Sequence, residues 1–382
     1  MTERKRFQAS AYSIDDAVTQ LPALAKWDGT LGDVDLFIVP RGFEPRACAF
    51  PSDLAERGTQ IRGTILIGRY RTNTLDNDRR AVELTPLLDA ISTRQHIECD
   101  ADTPSDIQRA IGSVIEHFPA GHPCHVVVDV SAASSTFILS SLLALMAIDR
   151  PIRLTILYAT AAVYHQPKQE DVGRPTMQWS ENDQREQGVS DVGTNELQTG
   201  IHHDHLPGFA IAIPSMFASR LQRCLGHLSL APHDIDEQEV FWILPDTDSN
   251  DHKWRFDAVM RTVLDILYSG ADDAPDTLPS GSFANCGALN YSDCARLVLR
   301  EIEHHSGTNM SVIHMGTKLQ AIGVAFALAA RPEVALVHAR PSGFSAATYS
   351  DGVGEKYQLQ FEELWQHVRR LTAIGTLKIA AC

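Results

Sequence analysis

The chain has 382 residues, more than a single hydrophobic core usually contains, so two domains are expected. Hydrophobic residues make up 44% and charged residues 21%, and no apolar run reaches the roughly 20 residues that cross a bilayer, so no membrane span is predicted. The net charge of −15 disfavours broad electrostatic binding of duplex nucleic acid, but it is compatible with a local basic pocket for a small phosphate ligand.

Cysteine usage and the N-terminus indicate a cytoplasmic protein. The seven cysteines are scattered and include no Cys-x-x-Cys pair, which is typical of reduced thiols rather than of a disulfide scaffold or a zinc site. The first residues are basic but lack the apolar segment of a secretory signal.

The first predicted strand, 35–40, is followed by a charged, glycine-containing loop and by a helix over 47–57. A strand, a loop and a helix in this order begin a parallel α/β sheet. Ligands of such sheets bind at the carboxyl ends of the strands, so Arg41 and Arg46 lie where an anion would be held. In the alternative, Glu44 neutralises one of these arginines in an ion pair.

The second predicted strand, 63–68, leads directly into Arg69, Tyr70 and Arg71. Two guanidinium groups that flank a phenol at a strand end suit stacking on a base and pairing with a phosphate. The alternative is that these are ordinary exposed side chains. Helices with apolar positions at helical spacing follow over 78–92 and 105–118.

An unbroken run of valines predicts a buried parallel strand over 125–130. Its carboxyl end and the following turn carry Asp129, Ser131, Ser134 and Ser135. Hydroxyls and free amides at the start of the next helix, 137–148, could hold a phosphate or a ribose. In the alternative, Ser134 or Ser135 only caps that helix. A strand over 153–158 completes the first half.

Residues 166–205 are predicted to connect two domains. Hydrophobicity falls in this segment while Gln, Glu, Asp and Gly become frequent, which is typical of a surface excursion with a few short strands. His202, His203 and His205 lie close together, but adjacent residues rarely bind one ion and no flanking spacing fits zinc, so no metal site is predicted.

The second half repeats the order of elements of the first. Strands are predicted over 208–214, 240–245, 311–314 and 334–338, and helices over 218–228, 254–267, 292–305 and 319–330. The shared order indicates an internal duplication, although few residues are identical. We therefore predict an α/β protein with two Rossmann-like parallel-sheet domains, over 1–165 and 206–382.

The turn 315–318 is the strongest candidate for a binding element. It places Gly316, Thr317 and Lys318 between a buried strand and a helix. The first amides of a helix lack internal partners and carry partial positive charge, so an anion binds well there, and Lys318 adds a full charge. The alternative is a plain strand–turn–helix unit in which Gly316 and Thr317 serve only the turn and the cap.

A loop with several glycines and a tyrosine follows the last predicted strand. It leaves the same rim of the sheet as Lys318 and could close over a ligand, with Tyr349 as a stacking face. The final helix, 360–371, has an apolar stripe that indicates core packing or a dimer seam, so a homo-oligomer is one expectation.

The buried strand, the Gly316-Thr317-Lys318 turn and the small-residue helix after it resemble the Gly-Thr-Lys element of CARF domains, the CRISPR-associated Rossmann-fold sensors. The duplicated layout resembles two CARF-like units in one chain, as in the SAVED sensors of bacterial antiphage systems. The resemblance extends over most of the chain in layout and over 311–338 in motif. It implies that cyclic oligonucleotides bind at the carboxyl ends of the strands, across a two-fold seam, in contact with Gly316, Thr317 and Lys318. The first-half turn with Asp129 lacks this pattern.

Three functions fit this sequence. The first is a cytoplasmic sensor of a cyclic oligonucleotide second messenger in antiviral defence. It would act through a separate effector protein, because the Rossmann-like pattern uses both halves of the chain. The second is a phosphodiesterase of the ring-nuclease type, in which Lys318, Arg41 or Arg46 stabilises negative charge. There, a hydroxyl of Ser134 or Thr317 would orient the attack.

The third function is an interaction scaffold of a defence complex. The sequence shows neither paired carboxylates nor a Cys/His set, which favours binding over catalysis. No cofactor is expected, and no Gly-x-Gly-x-x-Gly sequence follows a strand, which disfavours a dinucleotide-dependent dehydrogenase.

Overall fold

The structure is a computed structural model of the chain. It describes residues 12–92, 94, 96–119, 121–165, 171, 174, 186–230, 239–247, 249, 252–268 and 275–374. Of the predicted connector, 166–170, 172–173 and 175–185 lie outside the described residues.

Strands and helices alternate along the first half, as the sequence predicts. Its helices are α1 (Ile14–Thr19), α2 (Ala49–Glu56), α3 (Thr74–Ile91), α4 (Pro104–Ile115) and α5 (Ser135–Met146). Its strands are β1 (Ala25–Lys26), β2 (Leu36–Arg41), β3 (Thr64–Arg69), β4 (Ile97–Asp100), β5 (Cys124–Asp129) and β6 (Ile152–Ala159). Helix α4 begins with Pro104, whose missing amide hydrogen costs nothing in the first turn, and buries Ile107 and Ile111 at helical spacing.

The second half follows with the same alternation. Its strands are β7 (Glu186–Thr194), β8 (Gly208–Ile213), β9 (Val240–Asp246), β10 (Phe283–Gly287), β11 (Asn309–His314), β12 (Ala335–Phe344) and β13 (Lys356–Phe361). Its helices are α6 (Ala218–His227), α7 (Lys253–Tyr268), α8 (Tyr291–His304), α9 (Lys318–Ala330) and α10 (Leu364–Thr372).

Each half builds a parallel sheet with the same strand order. The first sheet runs β6-β5-β2-β3-β4 and the second runs β12-β11-β8-β9-β10. The central strands are β2 and β8; in each sheet the next two strands along the chain lie on one side of the central strand and the two after them lie on the other. This is the doubly wound order of Rossmann-like folds, so the predicted fold class is confirmed. We call each sheet with its helices a lobe, and the border between the lobes the seam.

The two lobes exchange their outer strands. β7 follows the first lobe along the chain but pairs antiparallel with β12 of the second sheet. β13 follows the second lobe but pairs antiparallel with β6 of the first sheet, where β1 completes the edge. The sequence locates neither strand, since it allows a few short strands in the connector without placing them and assigns 356–361 to a loop and a helix start. Each lobe therefore includes one strand from beyond the predicted boundary of its domain.

One hydrophobic core joins the two sheets. Leu36 and Ile38 of β2 and Ile211 of β8 point into the same cluster, which also contains buried residues of α4, α5, α8 and α9. Alternate residues point the other way: Phe37 packs under α2 and α3, and Ala212 packs under α6 and α7. The order of layers is thus helices, sheet, helices, sheet, helices.

Helix α9 lies in the central layer and is buried along almost its whole length. Small side chains let its neighbours approach closely: a Cβ at Gly323 would lie 2.1 Å from the carbonyl oxygen of Tyr291 in α8. An all-apolar helix of this kind is typical of a core covered on both sides. In the described part of the chain, no helix has both the length and the apolarity needed to cross a membrane.

Candidate ligand-binding site

A cavity of about 590 Å³ lies where the carboxyl ends of the two sheets meet. Residues of both lobes line it, including the segments that follow β2, β5, β8 and β11. Small-molecule sites have volumes of several hundred Å³, and ligands of doubly wound sheets bind at this edge. The cavity is therefore the candidate site.

The turn before α9 has the shape that its sequence predicts. The Thr317 hydroxyl caps the helix by accepting a hydrogen bond from the amide of Gln320, and it donates to the carbonyl oxygen of Ala288 at 2.7 Å. The Gln320 side chain accepts from the amide of Thr317 at 2.9 Å. Gly316 leaves room for this cap, because a Cβ there would lie 2.4 Å from Oε1 of Gln320. Gly316 and Thr317 line the cavity, and their contact with a ligand stays a prediction.

Lys318, the first residue of α9, reaches across the seam. Its ammonium group donates a hydrogen bond to the carbonyl oxygen of Ala133 and lies 3.8 Å from Oε1 of Glu44. Its side chain is only 17% exposed. Burial lowers the pKa of Lys318 to about 8, although the charge of Glu44 opposes this shift. Lys318 is therefore a buried cation at the cavity wall whose charge changes near neutral pH.

Glu44 and Arg46 form the buried ion pair that the sequence allows. Nε and a terminal nitrogen of Arg46 donate to Oε2 of Glu44 at 2.9 and 2.6 Å, and the hydroxyl of Ser350 donates to the same oxygen at 2.7 Å. Burial opposes ionisation of Glu44, but Arg46 and Lys318 outweigh burial and hold the pKa of Glu44 below its ordinary value. Arg46 therefore lines the cavity with its charge largely matched.

Three cations converge on the phenol of Tyr164. Arg46 donates a hydrogen bond to the Tyr164 hydroxyl at 3.2 Å, and the guanidinium of Arg255 lies 4.0 Å from the ring centroid. Burial opposes ionisation of Tyr164, but Arg46 and Arg255, with a smaller contribution from Lys318, lower the pKa of Tyr164 to about 8. Within the described residues, Arg255 has no carboxylate at ion-pair distance. The phenol oxygen thus marks a position where a negative charge is stabilised.

Sequence reasoning missed Arg255 and Tyr164. Arg255 lies in the first turn of α7, after the carboxyl end of β9, so its place on a parallel sheet could have indicated a role. Tyr164 follows β6 and gave no local signal. Both residues reach the cavity only because the lobes face each other.

Of the residues predicted to bind a ligand near the start of α5, some line the cavity and others lie beneath it. Ser134 caps the helix by accepting from the amide of Phe137, while its own amide donates to the phenol of Tyr70 at 2.8 Å. Ser134, Ser135 and Tyr70 line the cavity. Their contact with a ligand stays a prediction.

Asp129 and Ser131 lie beneath this turn and do not border the cavity. Oδ1 of Asp129 accepts from the amide of Ser131 at 2.8 Å, and the Ser131 hydroxyl accepts from the amide of Ala159 at 2.9 Å. Oδ2 of Asp129 has no partner within the described ranges. Burial raises the pKa of Asp129 to about 7. These two residues support the turn rather than the cavity surface.

Three predicted arginines lie away from the cavity. Arg41 and Arg69 stand side by side because β2 and β3 pair in register, and they bind Asp78 at 2.7 Å and Glu98 at 2.9 Å respectively. Arg71 pairs with Asp100. The sequence placed all three at strand ends, but their side chains turn to carboxylates outside the cavity lining. The structure therefore does not bring them to the site.

The second-lobe side of the cavity carries another buried pair. Arg220 of α6 makes a two-pronged ion pair with Glu186 of β7, with Nε at 2.6 Å from Oε2. Arg220 follows Pro214 by six residues, as Arg46 follows Pro40, so the duplication extends to these arginines. Tyr349, predicted to close over a ligand, lines this side and contacts Phe344 with ring centroids 5.7 Å apart.

No family model and no curated protein matches the chain. Among solved structures, it is similar to the cytoplasmic domain of a prokaryotic cation chloride cotransporter, with 8% identity and a TM-score of 0.22 over 83% of this chain and 99% of that one. It is also similar to the GsuK channel, with 11% identity and a TM-score of 0.18 over 92% of this chain and 81% of that one. Both TM-scores are too low to support a conclusion about this chain.

Proposed function

We propose that this chain is a cytoplasmic sensor that binds a cyclic oligonucleotide second messenger between its lobes and signals to a separate effector in antiviral defence. The proposal depends on one observation: Arg46, Arg255 and Lys318 converge at the cavity, and Glu44 pairs with Arg46 and Lys318 but not with Arg255. The positive charge in excess of this carboxylate favours an anionic ligand.

Phosphodiester groups fit the distribution of these cations. Arg46 is committed to Glu44, whereas Lys318 is held by a neutral carbonyl group and Arg255 by an aromatic ring. A phosphate would give both side chains hydrogen bonds to an anion, whereas within the described residues Lys318 donates to a carbonyl group and Arg255 has no carboxylate at ion-pair distance. The six cysteines in the described part of the chain are free thiols, which supports a reducing compartment.

One observation favours a second function, cleavage of the bound phosphodiester. Lys318 and Tyr164 both have a pKa of about 8, a value suited to proton transfer near neutral pH. The hydroxyls of Ser134 and Thr317, however, both serve helix caps. Binding without turnover is therefore the preferred function.

The test is to incubate the purified protein with cyclic di-, tri- and tetra-adenylate and cyclic di-guanylate. Calorimetry measures binding, and mass spectrometry of the recovered nucleotide measures cleavage. We expect at least one member to bind and to remain intact. Loss of intact nucleotide would support the phosphodiesterase instead, and no binding of any member would contradict both functions.

A matched pair of variants locates the site. Lys318→Met is expected to weaken binding about ten- to a hundredfold, because a charged hydrogen bond to phosphate is lost. Arg41→Met removes a cation that is paired outside the cavity and should bind as the unaltered protein does. Equal effects of the two variants would contradict the proposed site.

A further inference from the structure

The part of the cavity around Arg220 and Glu186 differs in charge from the part that holds Lys318. Arg220 and Glu186 are matched to each other, and their side chains are only 13% and 5% exposed. A buried, hydrogen-bonded ion pair presents little net charge to its surroundings. This part of the cavity therefore suits an uncharged portion of a ligand rather than a phosphate.

His314, the last residue of β11, lines this part of the cavity with its imidazole ring. It is 4% exposed, and neither of its ring nitrogens has a hydrogen-bond partner in the described part of the chain. Burial and the charge of Arg220 lower the pKa of His314 to about 3. The backbone groups of Thr317 and of His314 itself lie near the ring and offset part of this shift, but neither meets the geometry of a hydrogen bond to a ring nitrogen. The ring is therefore neutral, with one donor and one acceptor.

A buried polar group without a partner is uncommon in native proteins, because leaving it unpaired costs free energy. Such a group at a cavity wall is explained if a bound ligand supplies the missing hydrogen-bond partner. Since a neutral imidazole offers a donor and an acceptor but no charge, its natural partner is an amide or amidine group. The edges of nucleobases carry these groups.

Tyr349 provides an aromatic wall between the two parts of the cavity. Its hydroxyl lies within electrostatic range of Glu44 and Arg46 on one side and of Glu186 on the other. Its ring meets Phe43 and Phe344, both also in the lining, with centroids 5.7 Å apart in each case. Aromatic side chains next to a phosphate site are typical stacking partners of bases.

We propose that His314 hydrogen-bonds to the edge of a nucleobase whose phosphate lies at Lys318, and that Tyr349 forms the wall against which this base packs. This inference rests on the proposed function and adds to it a subsite that selects the base. A site with a buried hydrogen-bonding group rejects analogues that cannot pair with it, so His314 determines which base is accepted.

The experiment compares wild-type protein, His314→Leu and Lys318→Met by calorimetry at pH 7. The probes are cyclic di-, tri- and tetra-adenylate, cyclic di-guanylate and inorganic pyrophosphate, which has no base. His314→Leu is expected to lower the affinity for the preferred nucleotide about ten- to a hundredfold and to reduce the preference between adenine and guanine. Lys318→Met should weaken both the nucleotide and pyrophosphate.

Two further measurements separate recognition from misfolding. His314→Leu should melt at or above the wild-type temperature without ligand, because an unpaired buried ring is replaced by an apolar group. His314→Asn, which keeps a donor and an acceptor, should recover part of the affinity. Rescue of this kind is not expected if His314 only fills space.

The outcomes distinguish this inference from the function on which it rests. If Lys318→Met loses the nucleotide but His314→Leu binds it as wild type does, the base subsite is refuted and the sensor remains. If His314→Leu weakens pyrophosphate as much as the nucleotide, the subsite is also refuted. If the wild type binds no nucleotide, the proposed function fails and the base subsite fails with it.

Discussion

The ammonium group of Lys318, at the start of α9 in one lobe, donates a hydrogen bond to the carbonyl oxygen of Ala133, at the start of α5 in the other. This bond ties the two helix starts together at the cavity. A carbonyl group neutralises no charge, and Oε1 of Glu44 lies 3.8 Å away, beyond hydrogen-bond distance, while Oε2 of the same carboxylate accepts from Arg46 and Ser350. Lys318 therefore keeps much of its charge available for an anion that enters the cavity.

Anion binding is expected to weaken above pH 8. The pKa of Lys318 is lowered to about 8 by burial, so this side chain loses its charge as the pH rises further. Tyr164, whose pKa is also about 8, becomes negative over the same range. Both changes disfavour an anion, and affinity should fall by about tenfold per pH unit for each proton that binding requires. Calorimetry with a cyclic adenylate between pH 7 and 9.5 measures the slope.

Two variants show which side chain causes the pH dependence of the affinity. Lys318→Arg keeps a positive charge throughout this range and should flatten the decline. Tyr164→Phe removes the titrating phenol and should reduce only the part of the decline in affinity that the phenol causes. A wild-type affinity that stays constant from pH 7 to 9.5 would show that neither group meets the ligand.

Asp129 is expected to make the protein less stable as pH rises from about 4 to 7. Burial raises its pKa from 3.8 to about 7, so over this interval the folded state holds a proton that the unfolded state releases. Stability falls with pH wherever the folded state binds more protons. Asp129→Asn is neutral at every pH, so its free energy of unfolding should exceed that of wild type by a margin that grows up to pH 7 and then levels off.

Urea unfolding at pH 4, 5, 6, 7 and 8 measures this margin. Asp78→Asn is the matched control, because that carboxylate is 60% exposed and pairs with Arg41 at the surface. Its difference from wild type should vary much less with pH. A margin for Asp129→Asn that is the same at every pH would mean that this carboxyl is ionised in the folded protein.

Removing Arg46 is expected to destabilise the fold strongly. Its guanidinium is 3% exposed and holds Glu44, itself 6% exposed, so Arg46→Met leaves a buried carboxylate with weaker partners. Breaking a buried pair on one side costs about 3–5 kcal/mol. Arg69→Met removes a cation whose side chain is 53% exposed, and the expected change is within about 0.5 kcal/mol. If urea unfolding shows equal decreases in the free energy of unfolding for Arg46→Met and Arg69→Met, the buried ion pair is contradicted.

The sequence predicts the parallel sheets well and the exchanged strands poorly. Central strands such as β5 are buried along their whole length, and the three consecutive valines of β5 identify it from one stretch of sequence. β7 is a partly exposed edge strand that pairs on only one side and, apart from Val189 and Val192, consists of polar residues and glycines, so its sequence looks like a connector. Its strand character comes from β12, which lies far away in the chain.

A site residue could be predicted from the sequence only where its position depends on the strand and helix next to it in the chain. Lys318 follows a buried strand and opens a helix, so its place could be deduced. Arg41 and Arg69 also end strands, but carboxylates on other elements hold them, and no local pattern reports which carboxylate approaches. Arg255 and Tyr164 meet across the seam, a contact that depends on how the two lobes pack.

The shared core predicts that the two lobes unfold together. Phe361 belongs to β13 of the first sheet, is fully buried, and stacks on Phe326 of α9 with ring centroids 4.9 Å apart. Phe361→Ala should lower the free energy of unfolding by about 3–5 kcal/mol. We expect one calorimetric transition at a lower temperature, because the cavity left by the phenyl ring borders both lobes. Trp365→Ala, at a side chain that is 39% exposed, should cost much less. If Phe361→Ala instead split the transition in two, with one lobe melting at its original temperature, the lobes would be independent and the seam too weak to hold a buried lysine in place.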